Sequence, residues 1–326
     1  MKNTDIMFSV EVITYNQKDY IAQTLQSILD QKHNYKYEIL VSDDCSTDGT
    51  QDIIKQFHKK YPDIIKPVYN EKNLGAMKNY YATVSRAQGK YLMECAGDDY
   101  WLSGKVEKQI SFMERNLDFD LCYGKAKIVN QLGNFENDEL GEGYIFPTDA
   151  LLKGVSAPAL TLCFRRDFFI KYLEEIKPQD KVWLMEDYPF IIYAFFESKV
   201  YFMNDALAVY RIIKNSLSHQ ESLIKMYKFD KNTWEIKKFF ADKYSYDIPQ
   251  FSDESELYYH YKQLLNRNNK RILKKEYKDM CNELALSANY AKRMQLKNII
   301  HTILKFLLPY SVVTNIKKYS NKNSSK

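Results

Sequence analysis

Apolar runs alternate with polar stretches through the first hundred residues, and the alternation predicts the local structure. MFSVEVITYN is rich in residues that suit a strand and ends in Tyr15-Asn16. Residues 19–31 then place Ile21, Leu25, Ile28 and Leu29 on one helical face. EILV at 38–41 reads as a short buried strand, followed by SDDCSTDGT, where Ser46, Thr47 or Asp48 can cap a helix carrying Ile53, Ile54 and Phe57. KPVYN is a third strand, NLGAMKNYYATVSRAQG a loop and a helix ending at Gly89, and KYLMECA a fourth strand. This order predicts an α/β fold with a mostly parallel sheet and helices on both faces. Ligands of such sheets sit outside the carboxyl ends of the strands. The polar stretches TYNQ, SDDCSTD and GDDYW all fall at those ends.

The pattern changes near residue 120. CYGKAKIVN and APALTLCF read as strands, FRRDFFIKYLEEI and WLMEDYPFIIYAFFE as helices, and VYFMNDALAVYRI as two short strands. Beyond about 220 the chain is helical and strongly charged, which predicts a catalytic domain over 1–220 and a helical C-terminal region over 221–326. No internal repeat is visible.

Composition narrows the function classes. With 326 residues, 45% hydrophobic and 27% charged, the chain has ordinary globular stock. A net charge of +5 does not by itself imply nucleic acid, and no nucleic-acid motif is present. Five scattered cysteines without a CxxC pair argue for a reducing compartment and against a disulfide framework or zinc knuckle. The first residues lack a signal-peptide pattern, and no apolar run reaches the ~18 residues of a spanning helix. The expectation is a cytoplasmic chain.

Acidic pairs mark the candidate chemistry. Asp98-Asp99 follows one apolar run and Asp43-Asp44 another. A single pair of this kind is a common solvated turn or helix cap. Two pairs meeting at one sheet edge repel, and a cation or ligand donors must offset that cost. Mg²⁺ or Mn²⁺ with a nucleotide diphosphate would do so, because these hard ions take few carboxylates and complete their shell with phosphate oxygens.

VITYNQ, VSDDCSTDGT, NLGAMKNY, GDDYW, MEDYPF and VYRIIKNSLSH, in that order over about residues 7–220, resemble the family 2 inverting glycosyltransferases of the GT-A fold. The resemblance implies a Rossmann-like sheet and transfer of a sugar from a nucleotide diphosphate donor to an acceptor hydroxyl, with Mn²⁺ or Mg²⁺. By position, Thr14, Tyr15 and Asn16 resemble the loop that contacts base and ribose. Asp43, with Asp44 beside it, resembles the acid that hydrogen-bonds the base, which implies UDP as nucleotide and dTDP as second choice. Asn73, Gly75 and Lys78 resemble the segment folding over the nucleotide. Asp98 resembles the metal-binding acid, with Asp99 next to it. Asp187 resembles the catalytic base, with Glu186 the alternative. Arg211, Ser216 and His219 resemble the late segment that approaches the diphosphate, His219 as a further metal ligand. The chain departs from the family at Ala96, where an acid usually stands. Glu94 shares that strand face but lies about 6–7 Å further back.

Several residues have a plainer reading beside the functional one. Trp101 suits a core wall, while Trp183 could stack on an acceptor sugar. Arg165 and Arg166 suit a helix start or an acidic acceptor, and Cys45 and Cys95 suit small buried fillers. In the tail, Leu296, Ile299, Ile300, Ile303, Leu307 and Leu308 recur at helical spacing, and no acid follows Glu283. A basic amphipathic segment reads either as a contact with an anionic membrane, fitting a lipid-linked acceptor, or as a helix packed on the body. Two functions remain open at this point: an enzyme of bacterial surface-glycan synthesis acting on a glycan or lipid-linked acceptor, and a nucleotide-sugar-binding protein without turnover.

Overall fold

The computed structural model describes residues 5–143, 146–148, 151, 156–213, 222–246, 279 and 282. Backbone contacts divide the chain into two units, Met1–His219 with Glu235–Ile248, and Gln220–Trp234 with Pro249–Lys326. Ser216, His219 and the tail over 292–326 lie outside the described residues.

The first four strands are β1 (Phe8–Thr14), β2 (Tyr37–Asp43), β3 (Ile65–Tyr69) and β4 (Tyr91–Glu94). They alternate with helices α1 (Ile21–Leu29), α2 (Thr50–Lys60) and α3 (Ala76–Val84). The strands pair in parallel in the order β3-β2-β1-β4. Phe8, Val10 and Val12 of β1 pack with Ile39 and Val41 of β2, Tyr91 and Met93 of β4, and Ile21, Leu25 and Ile54 of the helices. Burying such side chains contributes about 1.5–3 kcal/mol each. The register sets Thr14 opposite Asp43 and Glu11 opposite Glu94, so the polar loops leave the sheet along one edge.

The rest of the sheet is mixed. It contains β5 (Tyr100–Trp101), β6 (Phe119–Asn130), β7 (Phe135–Leu140), β8 (Cys163–Arg165) and β9 (Lys199–Ile212). Helices α4 (Lys105–Arg115), α5 (Arg166–Ile176), α6 (Asp187–Glu197) and α7 (Leu223–Lys243) accompany them. The order continues β4-β8-β6-β9-β5, with β7 on β6. Strand β8 runs antiparallel to both neighbours, and β6 pairs with β9 in parallel.

Three elements differ from the sequence reading. APALTLCF is a 3-10 turn at Ala159–Thr161 followed by the short β8, because Thr161 Oγ1 donates to the Pro158 carbonyl at 2.7 Å, with the Gly124 carbonyl also within reach at 3.1 Å, and curls the chain. VYFMNDALAVYRI is one strand, whose pairing with β6 shifts register around Gly124 and Lys125 instead of breaking. Helix α6 begins only at Asp187. At α2, Gly49 with φ of 102° occupies the cap position, and Asp48 accepts from the Thr50 backbone N–H at 2.9 Å one residue earlier.

Candidate active site

Three loops meet at the carboxyl edge of the parallel strands, and backbone hydrogen bonds tie them together. The Asp44 N–H donates to the Thr14 carbonyl at 2.9 Å, and the Gly97 N–H to the Ile13 carbonyl at 3.0 Å. Thr14, Asp43, Asp44 and Asp99 are buried, and Asp98 is partly buried. Tyr15 and Asn16 are exposed. Asn16 adopts a φ of 53°, and its side-chain oxygen accepts from the Thr47 N–H at 2.8 Å, which fixes the first loop against the second.

The two acids of the second loop have different partners. Asp44 is committed to the segment after β3. It accepts from Asn70 Nδ2 at 2.9 Å and from the Leu74 and Gly75 N–H groups at 2.8 Å each. Gly75, with φ of 83°, lets the chain turn into α3, and its N–H also reaches Asn73 Oδ1 at 3.0 Å. Asn73 and Lys78 are exposed. Asp43 accepts from the Ser46 N–H and Gln51 Nε2 on Oδ1, at 2.9 and 2.7 Å, while its Oδ2 is buried without a partner. A buried acceptor left unsatisfied is costly, so a ligand N–H at that oxygen would be strongly favoured.

The acid loop at 96–99 is held from below and from β9. Thr24 Oγ1 hydrogen-bonds the Gly97 and Asp99 carbonyls at 2.9 and 2.7 Å. Arg211 donates its backbone N–H to Asp99 Oδ1 at 2.8 Å, Nε to the Asp98 carbonyl at 3.0 Å and a terminal NH₂ to Gln23 Oε1 at 2.8 Å. Its guanidinium also lies 4.7 Å from the Tyr20 ring centre. Arg211, expected to approach the diphosphate, is therefore buried and clasps the loop that carries both aspartates. Burial raises the Asp98 and Asp99 carboxyls above the ordinary range, the charge of Asp98 adds to the rise at Asp99, and Arg211 opposes it at both.

A second acidic group lies beneath α3 and the start of α6. Glu11 and Glu94 face each other across β1 and β4, both buried, and Tyr80 donates a short hydrogen bond to Glu94. Burial pushes Glu94 up to about 8, against the Tyr80 hydrogen bond and with help from the charges of Asp187 and Glu186. Burial, and then the Asp187 charge, push Glu186 to about 8 as well. Asp187 is also raised by burial, but the Tyr188 N–H donates to its Oδ1 at 2.7 Å and it occupies the first turn of α6. Both features favour its charged form. The rise at Glu186 thus has a neighbouring charge behind it that the rise at Asp187 lacks.

This group predicts a pH effect on stability. An acid whose folded pKa lies above its unfolded value contributes stability that is lost as pH rises through the folded value. The melting temperature is expected to fall from about pH 5 to 9, and Glu94→Gln, which keeps an acceptor for Tyr80, should flatten part of that fall, worth on the order of a few kcal/mol. Parallel melts of both proteins across that range check it, and equal slopes would refute it.

The sequence reading missed Arg211 as a clasp, the Glu11–Glu94 pair and Gln17, whose side-chain oxygen accepts from Thr14 Oγ1 at 2.7 Å. The only signals in the sequence were acids inside a strand that should be apolar. Trp183 is buried against Phe239 and Phe240 and offers no open stacking face. Arg165 is spent on the Phe119 and Met113 carbonyls, and Cys95 is a buried filler. Among the described residues no three acids, histidines or cysteines group as a metal cage. Asp98, partly buried, suits a divalent ion only if a ligand supplies further oxygens.

The "Glycosyl transferase family 2" model matches residues 9–169. A putative teichuronic acid biosynthesis glycosyltransferase of Bacillus subtilis, TuaG, is 33% identical over 238 residues, covering 72% of this chain and 88% of that protein. An uncharacterised protein of Mycobacterium tuberculosis is 32% identical over 126 residues, 38% of this chain, and the match spans only 36% of its length. The structure of S. aureus TarS 1-349 in complex with UDP-GlcNAc superposes with a TM-score of 0.57 at 19% identity, covering 86% of this chain and 81% of that one, a likeness of GT-A fold. With a relative of this identity matched over most of its length, the chain belongs to glycosyltransferase family 2.

Proposed function

We propose that the chain is an inverting glycosyltransferase of bacterial surface-polysaccharide synthesis, taking its sugar from a UDP-linked donor. The observation that carries the reading is the junction of the 14–17, 43–46 and 96–99 loops at the sheet's carboxyl edge, with Asp43 Oδ2 buried and unpaired there. A pyrimidine N–H would satisfy that oxygen. TarS has been solved with UDP and with UDP-GlcNAc, and TuaG is named for teichuronic acid synthesis, both in keeping with this reading. The catalytic unit in this reading spans 1–220.

In the reaction, the acceptor hydroxyl forms a bond to the anomeric carbon while the bond from that carbon to the diphosphate oxygen breaks. The diphosphate leaves with the electron pair, and the hydroxyl proton passes to the Asp187 carboxylate. Attack opposite the leaving group, with one base and no protein nucleophile, inverts the anomeric centre. Glu186, pushed up to about 8 by burial and then by the Asp187 charge, is the weaker candidate for the ionised role. Arg211 fixes the backbone of the acid loop so that Asp98 keeps its place. A Mn²⁺ or Mg²⁺ ion held by Asp98 and donor phosphate oxygens, with His219 as a further ligand, would supply neutralisation of the leaving charge.

Competition binding with Mn²⁺ tests the donor: UDP is expected to bind more tightly than dTDP and both more tightly than GDP, and GDP ranking first would overturn it. Release of UDP with transfer to a glycan or lipid-linked acceptor separates the enzyme from a binding protein without turnover, the second reading that Ala96 keeps open. No helix among the described residues is long and apolar enough to cross a membrane. Contact with an anionic membrane through 292–326 is part of the proposal, and a full-length chain that fails to float with anionic vesicles would remove it.

A further inference from the structure

We infer that Asp44 is a positioning residue for the donor nucleotide: it touches no ligand itself, and its carboxylate fixes the 70–75 segment as the wall beside the Asp43 oxygen that the base would fill. The inference rests on the proposed reading of Asp43 as the partner of the base.

The adjacent acids at the end of β2 turn to different neighbours. Asp43 turns to α2, where Gln51 Nε2 reaches its Oδ1 at 2.7 Å. Asp44 turns to the start of α3, and both of its oxygens are used. Oδ1 accepts from Asn70 Nδ2 and the Leu74 N–H, and Oδ2 from the Gly75 N–H, at 2.9, 2.8 and 2.8 Å. A carboxylate suits this buried place because it offers acceptors only. An amide has one acceptor oxygen and would set an NH₂ against the N–H donors of the segment.

Asn79 carries the brace into α3. Its Oδ1 accepts from Asn70 Nδ2 at 2.8 Å and from Ser42 Oγ at 2.7 Å, and its Nδ2 donates to the Ser42 carbonyl at 3.1 Å. The segment is also tied to the loop of Asp43 itself. The Asn70 N–H donates to the Asp43 carbonyl at 2.9 Å, and Cys45 Sγ lies 3.7 Å from the Glu71 carbonyl. Glu71, Lys72 and Asn73, between these ties, are exposed and belong to no helix or strand. Fixing such residues costs conformational entropy. The brace meets that cost in the free chain, so the nucleotide finds the wall beside Asp43 Oδ2 already in place.

The test is calorimetric titration of UDP, with Mn²⁺, into the full chain, beside amide hydrogen exchange. Asp44→Asn is expected to weaken UDP binding by about tenfold or more. It should also speed exchange at Leu74 and Gly75 while peptides from α1 and α2 exchange as in the parent. Asn70→Ala removes one donor to Asp44 and should weaken UDP by about fivefold. Asp43→Asn turns an NH₂ toward the base and should weaken UDP by about 10²-fold. If folded Asp44→Asn binds UDP within about twofold of the parent while Asp43→Asn does not, the role of Asp44 is overturned and the reading of Asp43 stands. Should Asp44→Asn fail to fold, the same result with Asn70→Ala overturns it. Exchange that speeds as much in α1 and α2 as at Gly75 would make Asp44 a support of the whole fold, which also overturns it. If Asp43→Asn binds UDP like the parent, the reading of Asp43 falls and the role of Asp44 with it.

Discussion

Asp187→Asn is expected to lose turnover by about 10²-fold or more while its affinity for the donor stays near that of the parent. The carboxamide keeps the shape and the acceptor for the Tyr188 N–H but cannot take a proton. The loss should therefore fall on kcat and leave the donor's KM almost alone. Burial raises the Asp187 carboxyl, so the acid limb of the rate profile should lie above the ordinary aspartate value, with activity rising as pH increases through it. Glu186→Gln supplies the contrast. Glu186 is pushed up to about 8 and is neutral near pH 7, so its amide should remain active there. An active Asp187→Asn beside a dead Glu186→Gln would exchange the two roles.

Asp98→Asn should abolish turnover and metal-dependent donor binding, yet leave the fold intact. The reason lies in how the loop is built. Arg211 holds the Asp98 backbone carbonyl and the Asp99 carboxylate, and Thr24 holds the Gly97 and Asp99 carbonyls, none of which involves the Asp98 side chain. Burial also raises the Asp98 carboxyl, which means that its charged form is costly in the folded chain. The neutral amide should then match the parent in melting temperature or exceed it. Calorimetric titration of UDP with and without Mn²⁺, beside a thermal melt, reads both effects. Unchanged Mn²⁺-dependent affinity would remove Asp98 from the metal site. A large fall in melting temperature would mean that the carboxylate supports the fold instead.

The two substitutions probe different halves of the site. Asp98 belongs to the loop that Arg211 clasps, whereas Asp187 starts a helix beside the buried Glu11–Glu94 pair. Burial raises both carboxyls, and different groups oppose the rise: Arg211 at Asp98, and the Tyr188 N–H at Asp187. Effects on donor binding and on proton transfer should therefore separate in the kinetics.

The parallel half of the fold and the edge where its polar loops emerge were legible in the order of residues. Strands such as FSVEVIT and YEILVSD are buried on both faces, so their apolar runs are readable without partners, and the polar loops that follow them can only emerge at one edge. The pairs Asp43-Asp44 and Asp98-Asp99 were visible for the same reason. Tertiary structure alone decided how those acids differ. Asp44 became a brace for the 70–75 segment, and Asp43 was left with an unpaired oxygen. Arg211 reached a loop more than a hundred positions earlier in the chain. The Gln17 side chain met Thr14 and the space beside Gly97. The antiparallel insertion of β8 between β4 and β6 was likewise hidden, because an apolar run has no direction until it finds its neighbours. The physical reason is common to all of these. Periodicity reports which side of an element faces the core, whereas hydrogen-bond partners and shifted ionisations depend on which distant groups share a dry volume, and only the folded chain brings those groups together.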